Sequence, residues 1–371
     1  MTGRPVGGRR ETERVLYVAG PVGEDSHDGG GHPESPSRVT AAMAGVFDLD
    51  LGNELVIVPA TDPSLETLAL VHSPDYLAAL AALSAAGGGR ADPDTFVTPD
   101  SWATALRAAG AGIAAVSALE LAADGVAFVA ARPPGHHALA DRAMGFCLLN
   151  NIAVTAATLT ARGERVLIVD WDVHHGNGTQ AIFWNDPSVL YVSTHQWPFY
   201  PGTGRPDEVG GPAALGLTLN VPLPAGATGD VVERALVELA APTIERFDPT
   251  WVLVSAGFDA HRADPLADLA LSSGDFARMA RTVAGFAPRP GRLVLFLEGG
   301  YSLEALRRSV AASLCALLGG AREAERATVG GPGAEDLEDV ERIRHETIDR
   351  LSGAVGGAGD PAEGGTGEGP G

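Results

Sequence analysis

The 371-residue sequence contains no lysine, and all 26 of its basic residues are arginine. This absence excludes Schiff-base lysine chemistry and any phosphate-binding loop that depends on a lysine. Cysteine is also scarce. Cys147 and Cys315 form no Cys-x-x-Cys pair, so a structural thiolate metal site is excluded. Two cysteines imply no disulfide framework, and we expect a reducing, cytoplasmic setting.

Long apolar runs are absent too. No stretch of about 18 apolar residues occurs, which is the length that a membrane-spanning helix requires. Residues 15–19 form a short apolar run near the start of the chain. This run is too short for the core of a signal peptide, and it predicts a first buried strand. We therefore expect a soluble chain with no membrane partner.

The charge balance is strongly negative, with a formal net charge of -21. Such a charge argues against a nucleic-acid partner, because nucleic-acid binding depends on basic surface. It favours cationic substrates or partners, although solubility alone is the simpler explanation. The sequence leaves the oligomeric state open.

Short apolar runs alternate with alanine-rich, helix-like segments at 151–161, 230–247 and 275–286. The runs are continuous, as expected for strands that are covered on both faces. This alternation predicts an α/β domain with a mostly parallel sheet. Pro242 predicts a kink or break within the second helix-like segment. The apolar runs occupy residues 126–130, 165–169, 189–192, 251–254 and 293–297.

Composition divides the chain into four parts. Residues 1–13 are polar and basic, and we expect a flexible lead before a main domain at 14–320. Residues 321–352 are rich in Glu, Asp and Arg and predict a peripheral helical extension. Residues 353–371 are dominated by glycine, alanine and acids, which predicts a disordered tail.

Four of the predicted strands lead directly into polar clusters that contain glycine. In open α/β sheets the functional crevice lies at the carboxyl ends of the strands. Each cluster alone is compatible with an ordinary turn, but four of them together predict one shared site. The clusters occupy residues 132–137, 170–178, 255–259 and 298–301.

The second and third clusters predict a metal site. Asp172 and His174 lie two residues apart, so their side chains point the same way in an extended chain. Aspartate oxygen and histidine nitrogen are zinc donors, and Asp259 is the natural third ligand. A catalytic zinc keeps one position open for water. This oxygen-rich set leaves iron(II) and cobalt(II) as alternative metals.

The other two clusters offer acid–base and hydrogen-bonding groups. His136 and His137 are adjacent, and histidine is the natural acid–base group near neutral pH. Tyr301 follows two glycines that permit close backbone approach. Its phenol is a candidate hydrogen-bond donor to a substrate carbonyl oxygen. The alternative interpretation is that Tyr301 is an ordinary buried tyrosine without a catalytic role.

Together these motifs resemble those of the histone deacetylase superfamily, which includes acetylpolyamine amidohydrolases and acetoin-utilisation proteins. The resemblance spans roughly residues 15–320. It is also carried by HPESPSR at 32–38, GFC at 145–147 and YPGTG at 200–204. Residues 170–180 are most similar to the class II and bacterial branch. The resemblance implies an arginase/deacetylase-like three-layer α/β/α sandwich. It also implies a zinc-dependent amidohydrolase that removes an acetyl or other acyl group from an N-acetylated amine such as acetyl-lysine.

The resemblance assigns a role to each matching residue. It implies zinc binding by Asp172, His174 and Asp259. His137 would be the general base and then the acid, beside a His136 that Asp170 orients. Tyr301 would polarise the acetyl carbonyl. The substrate channel would be lined by Phe146, Tyr200, Leu266, Gly145 and Gly299. Arg38 would line an inner cavity through which acetate leaves. A structural K⁺ or Na⁺ would be bound by Asp170, Asp172, His174, Ser193 and Thr194.

Two positions distinguish branches of the family. Asn177 stands where many class I enzymes have an aspartate partner for the second histidine. His137 should therefore stay neutral more readily than His136, which has Asp170. Leu266 stands where polyamine-selective relatives carry a glutamate gatekeeper, which weakens the polyamine reading without excluding it.

Three alternatives to acetyl-lysine deacetylation follow from the sequence. One is an acetylpolyamine or other small acyl-amide deacetylase. A second is a two-metal ureohydrolase on the same fold, but residues 255–261 offer one Asp and one His and no Asp-x-Asp pair. The third is a non-catalytic regulator that binds an acyl group or a metal.

Overall fold

The structure is a computed structural model that describes residues 14–122 and 124–356. It contains an eight-stranded sheet in which all strands are parallel, where the sequence predicts a mostly parallel sheet. The strand order is β2-β1-β5-β10-β9-β6-β7-β8. A separate two-stranded antiparallel sheet joins β3 and β4. The strands are β1 (Leu16–Val22), β2 (Leu55–Val58), β3 (Gly89–Arg90), β4 (Phe96–Val97), β5 (Val126–Ala131), β6 (Val166–Asp170), β7 (Val189–Gln196), β8 (Thr218–Leu223), β9 (Trp251–Ala256) and β10 (Leu293–Leu297).

Helices cover both faces of the eight-stranded sheet. Because successive side chains of a strand point to opposite faces, Phe128 packs into one core and Val129 into the other. The first core also contains residues of α1, α9 and α10, and the second contains residues of α4 and α5. The result is a three-layer α/β/α sandwich. The helices are α1 (Ser37–Phe47), α2 (Leu65–Leu68), α3 (Pro74–Ala85), α4 (Ser101–Leu121), α5 (Asn151–Thr160), α6 (Asn177–Ile182), α7 (Gly229–Arg234), α8 (Ala241–Phe247), α9 (Ser273–Ala284), α10 (Leu303–Leu317) and α11 (Ala334–Gly356).

Side-chain caps fix where the helices near the sheet's carboxyl edge begin. Asn150 caps α5 by accepting a hydrogen bond from the Ala153 amide, at 3.1 Å. The same Asn150 side chain donates to the carbonyl of Ala138, at 3.1 Å. One asparagine therefore starts α5 and fixes the loop that follows β5.

The segment 230–247 departs from a single helix, as Pro242 predicts. Residues Ala235–Ala240 form a π-helical turn between α7 and α8, and Pro242 lies in the first turn of α8. Proline lacks the backbone N–H that a continuous α-helix needs, so the wider turn accommodates the interruption.

The C-terminal extension is less helical at its start than predicted. Residues 320–333 run without regular structure, and α11 occupies Ala334–Gly356, four residues into the predicted tail. Glycines at 330, 331 and 333 together with Pro332 disfavour an earlier helix. The predicted flexible lead at 1–13 and the rest of the tail, 357–371, lie outside the described residues.

Helix α4 is the one helix of the described chain that is long and apolar enough to cross a bilayer. It packs against β1, β5 and α5, and 56% of its apolar window is buried. These contacts are those of a core helix.

Candidate active site

The four predicted polar clusters follow β5, β6, β9 and β10, which are the four adjacent central strands of the sheet. The clusters after β5, β6 and β10 line one pocket of about 220 Å³, and Asp259, after β9, lies against two of its lining residues, Asp172 and His174. Further lining residues come from loops at 94, 145–146, 199–200 and 266. It is lined by Asp94, Pro134, His136, His137, Gly145, Phe146, Asp172, His174, Phe199, Tyr200, Leu266, Gly299 and Tyr301.

Three candidate metal ligands converge at this pocket. One donor atom from each of Asp172, His174 and Asp259 lies within 4.8 Å of the others. Backbone amides orient the two carboxylates. Asp172 accepts from Gly299 N at 2.7 Å, and Asp259 accepts from Val173 N at 3.0 Å. His174 Nδ1 lies 3.1 Å from an Asp172 oxygen and 3.2 Å from an Asp259 oxygen.

Two glycines make room for this cluster. A Cβ at Gly257 would lie 2.0 Å from an Asp172 oxygen, and one at Gly299 would lie 1.9 Å from an Asp259 oxygen. Both positions therefore require glycine, because any side chain would displace the carboxylates. The sequence contains GF at 257–258 and GGY at 299–301 for this steric reason.

The electrostatics of the cluster fit a divalent cation. Burial and the neighbouring Asp172 raise the pKa of Asp259 above its usual value. Burial lowers the pKa of His174, but the Asp172 and Asp259 carboxylates outweigh it and raise that pKa to about 10. A divalent metal competes with this proton for the same donor atoms. Two aspartates and one histidine with an open side are a donor set that suits zinc in a catalytic site.

His136 has a carboxylate partner. Its Nδ1 lies 3.1 Å from Asp170 Oδ2, which also accepts a hydrogen bond from the Tyr191 hydroxyl at 3.1 Å. Burial lowers the pKa of His136, but Asp172 and Asp170 outweigh it and raise that pKa to about 10. A divalent cation on Asp172 would reduce this effect, because it neutralises that carboxylate.

His137 has an amide partner. Its Nδ1 lies 2.8 Å from Asn177 Oδ1, an oxygen that can only accept. His137 therefore carries its proton on Nδ1, and the lone pair of Nε2 is left for other partners. Burial, together with the adjacent His136 and His174, holds the pKa of His137 well below its usual value.

Tyr301 lines the same pocket as the two histidines. Its backbone N–H donates to Asp264 Oδ2 at 2.7 Å, and its ring packs 5.9 Å from that of Phe146. Burial raises the pKa of the Tyr301 phenol well above its usual value, so the hydroxyl remains a donor. The Arg38 guanidinium lies behind the ring, 4.8 Å from its centroid.

Arg38 is completely buried, and its guanidinium donates hydrogen bonds to oxygen atoms of Glu34, Glu298 and Gly300. Its Nε donates to the Gly300 carbonyl at 2.8 Å, and Nη1 donates to Glu34 at 3.2 Å. The structure therefore places Arg38 as a support behind Tyr301, and its part in acetate release stays a prediction.

Two aromatic side chains form the sides of the pocket. The Tyr200 ring lies 5.2 Å from that of His137, and Phe146 lies opposite Tyr301. Phe146 adopts a left-handed φ of 68° directly after Gly145, where a Cβ would lie 2.4 Å from the His137 ring. Leu266 also lines the pocket, as the sequence predicts for the channel.

The predicted monovalent cation site lies where β6 and β7 pair. Their register sets Asp170 opposite Ser193, with Thr194 the next residue along β7. Ser193 Oγ lies 2.9 Å from His195 Nδ1. The structure brings the predicted strand residues together, and their binding of K⁺ or Na⁺ stays a prediction.

Three residues of this region have no role predicted from the sequence. The Phe199 ring stacks on His174, with centroids 5.4 Å apart, and Asp94 reaches the pocket from the loop between β3 and β4. Glu298 is buried, and its carboxylate accepts from Gly135 N at 2.6 Å and His136 N at 3.2 Å. Glu298 directly follows the apolar residues of β10, and a polar residue at the carboxyl end of a central strand is a sequence pattern that indicates a site residue. Nothing in the sequence near Asp94 marks it.

The chain therefore combines a three-layer α/β/α fold with a possible metal-binding triad beside a pocket. The family model for the histone deacetylase domain matches residues 32–317, and the chain belongs to the histone deacetylase family. The crystal structure of the HDA15 HD domain superposes with a TM-score of 0.81 at 33% identity. That match covers 95% of this chain and 100% of the other. The arginase/deacetylase-like fold implied by the sequence is confirmed.

Related sequences come from several kingdoms. The chain is 42% identical to the histone deacetylase-like amidohydrolase of Pseudomonas aeruginosa, with 73% of each chain covered. It is 40% identical to histone deacetylase 10, chloroplastic, of rice, with 82% of this chain and 73% of the relative covered. A probable deacetylase of Archaeoglobus fulgidus is 40% identical over 74% of this chain and 77% of its own length. These relatives support an enzyme of the deacetylase type.

Proposed function

We propose that this chain is a zinc-dependent amidohydrolase that removes an acetyl group from an N-acetylated amine such as acetyl-lysine. One observation carries the proposal. A single pocket is lined by Asp172 and His174, which cluster with the buried Asp259, and by the low-pKa imidazole of His137 and the protonated phenol of Tyr301. Amide hydrolysis needs a base for water, an acid for the leaving amine and a donor for the carbonyl oxygen.

The side chains have distinct roles in this reaction. Zinc, when held by the three ligands, supplies Lewis-acid polarisation. His137 accepts the proton of the attacking water on Nε2 and returns it to the departing amine nitrogen. Tyr301 donates its hydroxyl proton in a hydrogen bond to the carbonyl oxygen as negative charge develops there. Asp170 and Asn177 orient the two imidazoles through their Nδ1 atoms.

The pocket walls favour an acylated side chain. Phe146 and Tyr200 flank a cavity of about 220 Å³, which accommodates an acetyl group on an extended aliphatic arm. Leu266 supplies no charge for a distant ammonium, which favours acetyl-lysine. Asp94, which also lines the pocket, favours the second candidate, a small acetylated amine such as an acetylpolyamine, because its carboxylate attracts a cation.

Several further properties belong to the same proposal. Iron(II) or cobalt(II) would replace zinc in an oxygen-rich site of this kind. A K⁺ or Na⁺ at Asp170 and Ser193 would have a structural role. We place the enzyme in the cytoplasm, without nucleic-acid or membrane partners, in line with its cysteine content and net charge.

The test compares an acetyl-lysine peptide with N-acetylputrescine on zinc-loaded protein, using parent and Tyr301→Phe. We expect the peptide to have the higher kcat/KM. Tyr301→Phe should lower kcat by roughly 10²–10³-fold, because an oxyanion donor is lost. Its zinc content should equal that of the parent.

Each other result has a defined meaning. Higher kcat/KM on N-acetylputrescine would select the second candidate. Full activity of Tyr301→Phe would refute the role of the phenol. Tight binding of acyl-amide analogues by the parent without turnover on either substrate would favour a non-catalytic regulator. Two manganese ions per chain would favour the ureohydrolase reading.

A further inference from the structure

A second cavity, larger than the pocket, lies at the opposite edge of the sheet. It has a volume of about 700 Å³, and the N-terminal ends of β6 and β8 together with α8 and α11 line it. Arg165 directly precedes β6 here, whereas Asp170 ends the same strand beside the pocket. Five strand residues span about 17 Å, so the two cavities are separate. We call this second cavity the arginine groove.

A buried arginine distinguishes the groove. Arg344 of α11 is only 8% exposed, and Nη2 donates to the Gly216 carbonyl. Its Nε is buried without a hydrogen-bond partner. No carboxylate forms an ion pair with Arg344 among residues 14–122 and 124–356. A guanidinium that is buried without a counter-charge is costly, so the site favours an anion.

A second arginine increases the local positive charge. Arg246 of α8 lines the same groove, and its guanidinium donates to the neutral Thr243 hydroxyl at 3.1 Å. Burial and the proximity of Arg246 lower the pKa of Arg344 to about 10. A third arginine of the lining, Arg165, is paired with Asp248, whereas Arg344 and Arg246 repel each other, and a bound anion would relieve that repulsion.

The other residues that line the arginine groove favour one class of anion as its ligand. Glu238 and Glu341 also border the groove, and Glu238 is already paired with Arg234. These carboxylates would repel a phosphate dianion more than a monoanion. Most of the other walls are apolar, which favours a ligand with a hydrocarbon body. The apolar lining comprises Pro187, Leu215, Leu217, Leu219, Leu239, Pro242, Phe247, Val340 and Ile348.

We propose that the arginine groove binds a monocarboxylate with an apolar body, with Arg344 and Arg246 holding the carboxylate. The planar guanidinium fork of arginine matches a carboxylate in two parallel hydrogen bonds. The apolar walls would cover the hydrocarbon portion. This site is independent of the hydrolytic reaction proposed for the other pocket.

The test measures binding of octanoate to the full-length, zinc-loaded protein by isothermal titration calorimetry at fixed ionic strength. We expect saturable binding to the parent and at least tenfold weaker binding to Arg344→Met and to Arg246→Ala. Octanamide, which has the same body without the charge, should bind at least tenfold more weakly than octanoate.

Arg342→Ala is the matched control. Arg342 lies on the same helix, but it is exposed, paired with Asp339 and Glu346, and does not line the groove. Octanoate should bind this variant like the parent. If Arg344→Met fails to fold, Arg246→Ala at the exposed rim decides the question.

Three outcomes would overturn the proposal. One is no binding of octanoate to the parent. Another is equal binding to the parent, Arg344→Met and Arg246→Ala, which would place the carboxylate at the metal pocket instead. The third is tighter binding of inorganic phosphate than of octanoate, which would contradict the choice of an apolar monocarboxylate.

Discussion

His136 and His137 are adjacent in the chain, and their ring centroids are 4.0 Å apart, yet their surroundings differ in kind. His136 faces the Asp170 carboxylate, and its pKa is raised to about 10. His137 faces the Asn177 amide, and its pKa is held well below the usual value. Asp172 and Asp170 raise the pKa of His136, whereas burial together with His136 and His174 lowers that of His137, whose Nδ1 partner is an uncharged amide.

The two different partners of the histidines come from one short segment of the chain. Asp170 ends β6, and Asn177 begins α6 seven residues later, so one short loop supplies both partners. Gly176 lies between them, and a Cβ at this position would be 2.1 Å from an Asp170 oxygen. The glycine allows the loop to pass close to Asp170 before α6 starts.

The largest expected effect comes from removing the neutral imidazole of His137. His137→Gln should lower kcat by roughly 10²–10⁴-fold, because the group that moves the proton is lost. His136→Gln should cost less, since His136 acts on the reaction through its charge and its contacts. The measurement is kcat on an acetylated peptide, together with the zinc content of each variant.

His345→Gln is the control for this pair. His345 is exposed on α11, remote from the pocket, and kcat should not change. A larger loss in His136→Gln than in His137→Gln, at equal zinc content, would reverse the assignment of the base.

Giving both histidines a carboxylate partner should reduce the difference between their pKa values. In Asn177→Asp the new charge raises the pKa of His137, because a nearby anion stabilises the imidazolium. The base acts in its neutral form, so the acidic limb of kcat/KM should move to higher pH by about one unit. The measurement is a profile of kcat/KM from pH 5 to pH 9.

The control adds the same charge elsewhere. Asn53→Asp lies on an exposed turn before β2, at the far edge of the sheet, and its profile should match that of the parent. An acidic limb that does not move in Asn177→Asp would show that His137 does not set it.

Much of the fold and of this site followed from the sequence because the signals were local. The central strands are continuous apolar runs, and each ends in polar residues whose meeting follows from parallel topology. The edge strand β2 was missed because it spans only four residues, Leu55–Val58, and half of them are exposed. The edge strand β8 was missed because Asn220 and Pro222 interrupt its apolar character.

Other parts of the site depend on contacts between distant segments. Asp94 reaches the pocket from the β3–β4 loop, and Phe199 stacks on His174, yet neither lies in a pattern that predicts chemistry. The start of α11 was misplaced because acidic and basic residues at 321–329 are compatible with a helix. In the structure, Glu325 instead binds His261 and Arg262, and residues 321–329 have no regular secondary structure.

Glu298 offers the smallest and most specific change to the histidine pair. Its carboxylate accepts the backbone N–H groups of Gly135 and His136, directly before His137. Glu298→Gln retains an oxygen acceptor for these donors, so kcat should change by less than about tenfold. The substitution removes the ionisable carboxyl group, however, so the pH dependence of the free energy of unfolding should change.

The sign of that effect follows from the pKa of Glu298. Burial raises it from 4.5 to about 7, against the attraction of His136. The folded state therefore holds this proton more tightly than the unfolded chain does. The resulting stability is present in full below pH 4.5 and is lost as the pH rises to about 7. Urea unfolding at pH 5 and pH 7.5 should show a smaller fall in the free energy of unfolding for Glu298→Gln than for the parent. Glu304→Gln, an exposed partner of Arg308, should keep the parental difference. An equal fall in Glu298→Gln and the parent would show that Glu298 does not hold this proton.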